Sequence, residues 1–267
     1  MGVFLTNNLK VYNDYVDDYT SYELVPQERN ILVKFKERWG KTRMLDIGVG
    51  TGRTSFTFSA IVNDYTGIDY SHEMIKKCKT VIEENESVRF DLQDATDLSQ
   101  YIDNKFDFIL FSMNGLCSVG HDDRVKILSE VYKVISDDGF FFFSTHSLHT
   151  FPNHFPFKIK LPKFNKRQPL HWAYQWWKLL LRRFRIQRLY KGVDTNEICG
   201  KPWAILATGD HDFKIQIYHI KPDYQVKQLE DSGFEVVSVY DERGNERDPL
   251  KENINEYMYF LCKKNKV

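Results

Sequence analysis

The sequence has few cysteines, and their spacing does not suit a metal site or a disulfide framework. The four cysteines are far apart, and none forms a Cys-x-x-Cys pair: Cys78, Cys117, Cys199 and Cys262. A zinc-ribbon or a disulfide-stapled scaffold is therefore not expected. No metal site is predicted, and the thiols are expected to be reduced, as in the cytoplasm.

The sequence also lacks net charge and long apolar runs. Lys and Arg number 37 and Asp and Glu number 37, which gives a formal net charge of +0. Overall charge therefore gives no argument for a nucleic-acid or membrane partner. No apolar run approaches the roughly 18 residues of a membrane span, and no basic segment followed by an apolar one opens the chain. These absences predict a cytoplasmic protein without a transmembrane segment.

What the sequence does contain is a regular alternation of short apolar runs and helical patterns. This alternation predicts a mostly parallel sheet of a Rossmann-like α/β fold, with its ligand site at the carboxyl ends of the strands. Strands are predicted over residues 43–47, 65–68, 88–90, 106–111, 140–144, 213–220, 234–240 and 257–262. Helices are predicted over residues 51–62, 71–81, 123–135, 171–190 and 222–232.

The first strand runs directly into a glycine turn, LDIGVGTG at residues 45–52. Gly48, Gly50 and Gly52 have no Cβ, so the backbone can turn sharply and a ligand can lie against it. The dinucleotide fingerprint would place a further glycine where Arg53 stands. A phosphate-binding loop would require Gly-Lys-Ser/Thr, which is absent.

Two acidic positions follow the next strands. Asp69 comes 21 residues after Gly48, where a carboxylate can accept hydrogen bonds from both ribose hydroxyls of an adenosine ligand. Asp94 follows the third strand, where it could accept the adenine amino group while Ala95 offers its backbone N–H. The alternatives are a helix-dipole role for Asp69 and a turn role for Asp94.

Together these segments resemble the class I S-adenosylmethionine-dependent methyltransferases, in their small-molecule branch. The resemblance is carried, in order, by residues 45–52, 66–75, 90–98, 106–116 and 137–146. It implies a seven-stranded, mostly parallel sheet with an antiparallel last strand and helices on both faces. It also implies a single domain, divided into N-terminal lid helices (1–40), a cofactor-binding core (41–146), an insertion that caps the substrate (147–212) and a segment that completes the sheet (213–267).

The resemblance also implies site residues for the cofactor S-adenosylmethionine. Asp46 and the three glycines are assigned to its methionine end, Asp69 to the ribose, and Asp94 and Ala95 to the adenine. Met113 and Asn114 are expected beside the sulfonium and the methyl acceptor.

A run of tyrosines precedes the first strand. Tyr12, Tyr15, Tyr19 and Tyr22 are spaced by 3, 4 and 3 residues, which predicts one face of a helix. Tyr15 and Tyr19 would contact the cofactor if this helix is a lid, and a packed amphipathic face is the alternative.

Methyl transfer is an in-line displacement that needs no metal, but a hydroxyl or ammonium acceptor needs a base. Histidine titrates near neutral pH and suits that role. His146 is the first candidate because it follows the fifth strand, and His211 is the second because Asp210 and Asp212 could orient its ring. The other candidates are His149, His154 and His219.

Residues 151–191 form a basic and aromatic segment with 11 Lys or Arg and no Asp or Glu. The segment could cap the pocket or attract an acidic small molecule, bind RNA, or lie on an anionic membrane. The leading hypothesis is methylation of an oxygen or nitrogen of a small molecule, in which nucleic acid has no part. The alternatives are an RNA methyltransferase that uses this segment and a non-catalytic, cofactor-binding partner subunit. Against RNA, Ser112-Met113-Asn114-Gly115 stands where many nucleic-acid methylators carry Asn/Asp-Pro-Pro-Tyr/Phe.

Overall fold

A computed structural model describes residues 3–18, 21–150, 169–189, 191, 194–207, 215–251, 254 and 257–265. The first half of the chain supplies five strands that pair in parallel in the order β3-β2-β1-β4-β5. Their carboxyl ends therefore meet at one edge of the sheet. The strands are β1 (Arg43–Ile47), β2 (Asp64–Asp69), β3 (Val88–Leu92), β4 (Phe106–Phe111) and β5 (Ile135–Ser147).

The second half of the chain completes and extends this sheet. Strand β10 (Tyr257–Lys264) lies antiparallel between β5 and β8 (Phe234–Tyr240). The predicted sheet with an antiparallel last strand is thereby confirmed as β3-β2-β1-β4-β5-β10-β8.

The predicted number of seven strands is too small, because the sheet has ten strands within the described residues. The strands beyond those seven are β6 (Trp203–Ala207), β7 (Gln216–Ile220) and β9 (Glu246–Arg247), of which β7 corresponds to the strand predicted over residues 213–220. Strand β5 runs to Ser147, beyond the predicted end at residue 144, and its last two residues pair with β7. Strand β6 then pairs with β7.

Eight α-helices are described. They are α1 (Val3–Asp14), α2 (Pro26–Lys34), α3 (Ser55–Phe58), α4 (His72–Val81), α5 (His121–Val134), α6 (Pro169–Leu189), α7 (Thr195–Gly200) and α8 (Pro222–Asp231). The helix predicted over 51–62 is reduced to α3. Gly52 has φ +96°, which no right-handed helix contains, and both Ile61 and Val62 donate to the carbonyl of Phe58 and close the helix there.

The three described tyrosines of the N-terminal run, Tyr12, Tyr15 and Tyr22, do not share one helical face, so the prediction of a single helix is wrong. Helix α1 ends at Asp14, a 3-10 turn follows over Val16–Asp18, and Tyr22 precedes α2. Acidic residues at the carboxyl end of α1 oppose the helix dipole and disfavour its continuation. Tyr19 lies outside the described residues.

The core consists of two layers, one on each face of the sheet. Alternate residues of a strand point to opposite faces, and Phe141 and Phe143 accordingly lie in one cluster while Phe142 lies in the other. Helices α5 and α8 cover the first face, and α2, α3 and α4 cover the second. Helices on both faces were predicted, and the packing confirms them. Within the described part of the chain, no helix is long and apolar enough to cross a membrane.

Candidate active site

The glycine turn lies at the carboxyl end of β1 and has a left-handed backbone. Gly48, Gly50 and Gly52 have φ values of +68°, +57° and +96°. A Cβ on Gly48 would lie 3.0 Å from the Phe111 ring, and one on Gly52 would lie 3.0 Å from Cys78 Sγ. A Cβ on Gly50 would meet nothing within 4 Å. The outer two glycines therefore allow close packing, and Gly50 faces open space in which a ligand can lie against the backbone.

Asp69, the last residue of β2, holds this turn in place. Its Oδ2 accepts the Gly50 N–H at 3.0 Å, and its Oδ1 accepts the Ser71 N–H at 2.8 Å. Burial raises the pKa of Asp69 to about 6, although these hydrogen bonds favour the ionised form. The backbone N–H of Tyr70 also favours the ionised form. An ionised carboxylate offers about four acceptor positions, so acceptor capacity remains for a ribose hydroxyl.

Asp46 lies beneath the turn. Its Oδ2 accepts hydrogen bonds from the Thr54 hydroxyl at 2.5 Å and the Tyr65 hydroxyl at 2.6 Å, and its side chain is buried. Burial raises its pKa to about 7, against the effect of those hydrogen bonds. Through these hydrogen bonds Asp46 stabilises the glycine turn. Its predicted contact with the methionine end of the cofactor stays a prediction.

The predicted adenine-binding residues follow β3. Asp94 Oδ1 accepts the Thr96 N–H at 2.9 Å, which makes a local turn and leaves its second oxygen available. Ala95 is buried, and Gln93 N–H donates to the Asp69 carbonyl at 3.0 Å, which ties the ends of β3 and β2 together. Leu92, which the sequence analysis did not single out, leaves 54% of its side chain exposed at this edge.

The end of β4 carries the two non-glycine residues with positive φ among those described, Met113 at 49° and Asn114 at 60°. Such a conformation is strained and is often found at functional sites. Asn114 N–H donates to Ser144 Oγ on β5 at 2.6 Å, and its Oδ1 is buried with no partner among the described residues. Met113 is exposed. The turn thus presents one amide oxygen and one flexible apolar side chain at the carboxyl edge.

A buried ion pair beside the glycine turn was missed by the sequence analysis. Glu28 of α2 accepts from Nη1 and Nη2 of Arg53, both at 2.6 Å, and also from the Ser112 hydroxyl. Its Oε2 further accepts the Val25 N–H at 2.9 Å, which caps α2. The pair therefore joins α2, the glycine turn and the end of β4. The one indication of this ion pair in the sequence was Arg53, which stands where the dinucleotide fingerprint has a glycine.

His146 lies at the end of β5 with its ring 5.0 Å from that of His219 and 4.9 Å from that of Tyr257. Burial lowers the pKa of His146 to about 3, with a smaller contribution from His219, and burial lowers the pKa of His219 to about 4. Both rings are neutral at physiological pH. Residues 144 and 146 share one face of β5, so His146 lies on the same side as the hydroxyl that holds Asn114. His154 and His211 lie outside the described residues.

The sequence model described as "Methyltransferase domain" matches residues 44–139. A ubiquinone/menaquinone biosynthesis C-methyltransferase of Citrifermentans bemidjiense is 30% identical over 166 residues, which cover 58% of this chain and 69% of that protein. The chain belongs to the class I S-adenosylmethionine-dependent methyltransferases.

Further comparisons agree with this family. A demethylmenaquinone methyltransferase of Leptospira interrogans is 30% identical over 142 residues, 51% of this chain, and the match spans 56% of that relative's length. The crystal structure of a 1,6-didemethyltoxoflavin-N1-methyltransferase of Burkholderia thailandensis, with its substrate and S-adenosylhomocysteine bound, has a TM-score of 0.58 at 15% identity. The match covers 98% of this chain and 87% of that one, which shows that the two share their fold.

S-adenosylmethionine is the cofactor of this methyltransferase family, and the described residues fit it. Three features lie at the ends of the neighbouring strands β1, β2 and β3: the open side of Gly50, the remaining acceptor capacity of Asp69 and the exposed Leu92. A nucleoside with an amino-acid tail requires accessible backbone groups, a hydrogen-bond acceptor for the ribose diol and an apolar side chain to pack against. No group of three or more His, Cys, Asp or Glu side chains suited to a metal ion occurs in the described part of the chain.

Proposed function

We propose that this chain transfers a methyl group from S-adenosylmethionine to an oxygen or nitrogen of a small molecule. The observation that carries the proposal is the 3.0 Å hydrogen bond from Gly50 N–H to Asp69, which joins a ligand-accessible turn to a ribose-binding carboxylate. The relatives named above act, by their names, on quinone precursors and a toxoflavin precursor. These are small molecules, which supports a small-molecule acceptor here.

The cofactor would be held by residues of three strand ends. Asp69 would accept the ribose hydroxyls, while the second oxygen of Asp94 and the backbone of Ala95 would hold the adenine edge. The backbone of the glycine turn would hold the methionine end, with Asp46 fixing its shape. Tyr15 and Tyr19 remain proposed lid residues, and Tyr15 packs against the core on one side of the sheet.

When bound, the cofactor supplies a methyl group on a positively charged sulfur, which needs no further activation. The protein's task is to place the acceptor in line with that methyl group. Asn114 Oδ1 can accept a hydrogen bond from an acceptor hydroxyl or amine, and the rigid left-handed turn keeps this oxygen at the site. Met113 provides an apolar contact beside it.

His146 is the proposed base. Its neutral ring has a lone pair that can accept the acceptor's proton, but its low pKa makes it a weak base in the free protein. A hydroxyl becomes far more acidic as its oxygen gains a methyl group, so a weak base is sufficient late in the reaction. His211 remains the second candidate.

The proposal is tested with methyl-labelled S-adenosylmethionine and a panel of phenols, quinols, amines and carboxylic acids. We expect transfer to at least one acceptor, with kcat reduced about tenfold to a thousandfold in Asn114→Ala and His146→Ala. His72→Ala, an exposed histidine of α4, serves as the control and should retain activity. Transfer to RNA and to no small molecule would support the RNA alternative. Cofactor binding without any transfer would support the non-catalytic one.

A further inference from the structure

Helix α6 presents an apolar face to solvent. Leu170, Trp177 and Phe184 are 86%, 56% and 69% exposed. Their spacing of seven residues, with further members three or four residues apart, places them along one side of the helix. We refer to this row as the α6 stripe, which consists of Leu170, Tyr174, Trp177, Leu181 and Phe184, all exposed.

The α6 stripe is not the face that packs against the protein. Ile186 is buried, and Trp172, Trp176 and Leu179 are partly buried. At 100° per residue these four residues lie on the opposite side of the helix from the stripe. The helix is therefore apolar on two sides, and the described residues cover only one of them.

Positive charge accompanies the α6 stripe. Arg188 is exposed in line with the stripe, and Lys178 and Arg182 are exposed on its flank, about 80° and 120° around the helix. The Lys178 ammonium lies 5.1 Å from the centre of the Tyr174 ring. The surrounding segment, residues 151–191, has 11 basic and no acidic residues in a chain whose overall formal net charge is +0. The α6 stripe from Leu170 to Phe184 is about 21 Å long at 1.5 Å per residue. An apolar row of this length with cations beside it matches a surface that is both apolar and anionic.

Three occupants can be compared on these grounds. A second copy of the same helix would bring like charges together without acids to offset them. RNA would satisfy the arginines and stack on the aromatic rings, but would leave Leu170 and Leu181 exposed to water. A lipid bilayer accepts both the leucines and the aromatic rings at its headgroup boundary, and anionic lipids attract the arginines.

We propose that α6 binds the surface of a membrane that contains anionic lipids. The helix lies in the plane of the membrane, with the α6 stripe in the boundary between headgroups and acyl chains. It does not span the bilayer, because it is not apolar enough to do so. This proposal is independent of the methyl acceptor and of cofactor binding.

The test is co-sedimentation of the full chain with vesicles of phosphatidylcholine, with and without added phosphatidylglycerol. We expect binding to the anionic vesicles, weakened by high salt, and binding to neutral vesicles weaker by about tenfold or more. Trp177→Ser/Phe184→Ser should bind anionic vesicles at least about tenfold more weakly, because it removes apolar contact area. Lys178→Gln/Arg188→Gln should lose about fivefold per cation removed.

Matched controls carry changes of the same kind elsewhere. Val33→Ser/Leu250→Ser removes two exposed apolar side chains, and Lys76→Gln/Lys126→Gln removes two exposed charges; both should bind as wild type does. Circular dichroism and thermal unfolding confirm that each variant folds. The proposal is overturned if wild type does not sediment with anionic vesicles, if the stripe variant binds them as wild type does, or if the chain binds single-stranded RNA and no vesicle.

Discussion

Replacing Glu28 with Gln isolates the buried ion pair that joins α2 to the glycine turn. All four acceptor positions of the Glu28 carboxylate are used: by Nη1 and Nη2 of Arg53, by the Ser112 hydroxyl and by the Val25 N–H. In Glu28→Gln one oxygen becomes an NH₂ group that faces two donors. The guanidinium of Arg53 also loses its counter-charge, while its side chain is only 17% exposed.

Breaking a buried pair by removing one partner costs about 3–5 kcal/mol. The residual exposure of Arg53 lets water reach the guanidinium, so we expect a loss of about 3 kcal/mol in the free energy of unfolding. For a chain of this size that corresponds to a Tm about 6–12 °C lower. Cofactor affinity should fall as well, because Arg53 directly follows the glycine turn.

The assay is urea and thermal unfolding of wild type, Glu28→Gln, Arg53→Met and the double variant. Glu73→Gln, an exposed residue of α4, is the control and should change the unfolding free energy by less than about 0.5 kcal/mol. The double variant should be more stable than the sum of the two single losses by about 2 kcal/mol. A loss below about 1 kcal/mol in Glu28→Gln, or strictly additive losses, would refute the reasoning.

Four further predictions concern the site. The pKa of Asp69 is raised to about 6, and we propose that its ionised form binds the ribose. The Kd for S-adenosylmethionine should therefore rise by about tenfold per pH unit below that value, whereas Asp69→Asn should give a weak affinity with little pH dependence by calorimetry. Without ligand, the free energy of unfolding should depend on pH with the opposite sign. The raised pKa values of Asp46 and Asp69 contribute stability that is fully present below their unfolded values and is lost as pH rises through about 6 to 7, and a flat profile of unfolding free energy would contradict this. Gly50→Ala should cost about 1 kcal/mol of stability for its positive φ, yet should weaken cofactor binding more than tenfold because the new methyl group enters the cleft. Met113→Gly should leave the unfolding free energy within about 1 kcal/mol of wild type, because relief of strain offsets the flexibility of glycine, while kcat falls at least tenfold. Unchanged kcat would show that the Met113 side chain has no catalytic role.

The parts of the fold that could be predicted from the sequence are those set by local patterns. The runs at residues 43–47, 106–111 and 234–240 coincide with β1, β4 and β8, because an apolar run bounded by turn residues defines a buried strand by itself. The helix predicted over residues 71–81 corresponds to α4, and its first predicted residue, Ser71, caps it: the Ser71 hydroxyl accepts the Met74 N–H at 3.1 Å.

The parts that could not be predicted depend on contacts between distant residues. Strand β6 forms by pairing with β7, and no local pattern predicts it, whereas β7 itself coincides with part of the strand predicted over residues 213–220. Glu28 and Arg53 are 25 residues apart, and only the fold brings α2 over the glycine turn. The tyrosine spacing predicted a helix, but the Tyr12 hydroxyl instead pairs with Ser118 Oγ at 2.7 Å while the helix ends two residues later.

The central claim is that the glycine turn and Asp69 bind S-adenosylmethionine. The most direct measurement is calorimetric titration of wild type, Asp69→Ala and Asp64→Ala with S-adenosylmethionine and S-adenosylhomocysteine. Asp64 opens the same strand β2 at its opposite end, where it pairs with Arg43, and is the matched control. We expect wild type and Asp64→Ala to bind both ligands, with about 2.7 kcal/mol of added stability at a ligand concentration of about 100 Kd, and Asp69→Ala to bind at least tenfold more weakly. No binding by wild type, or equal binding by Asp69→Ala, would contradict the account.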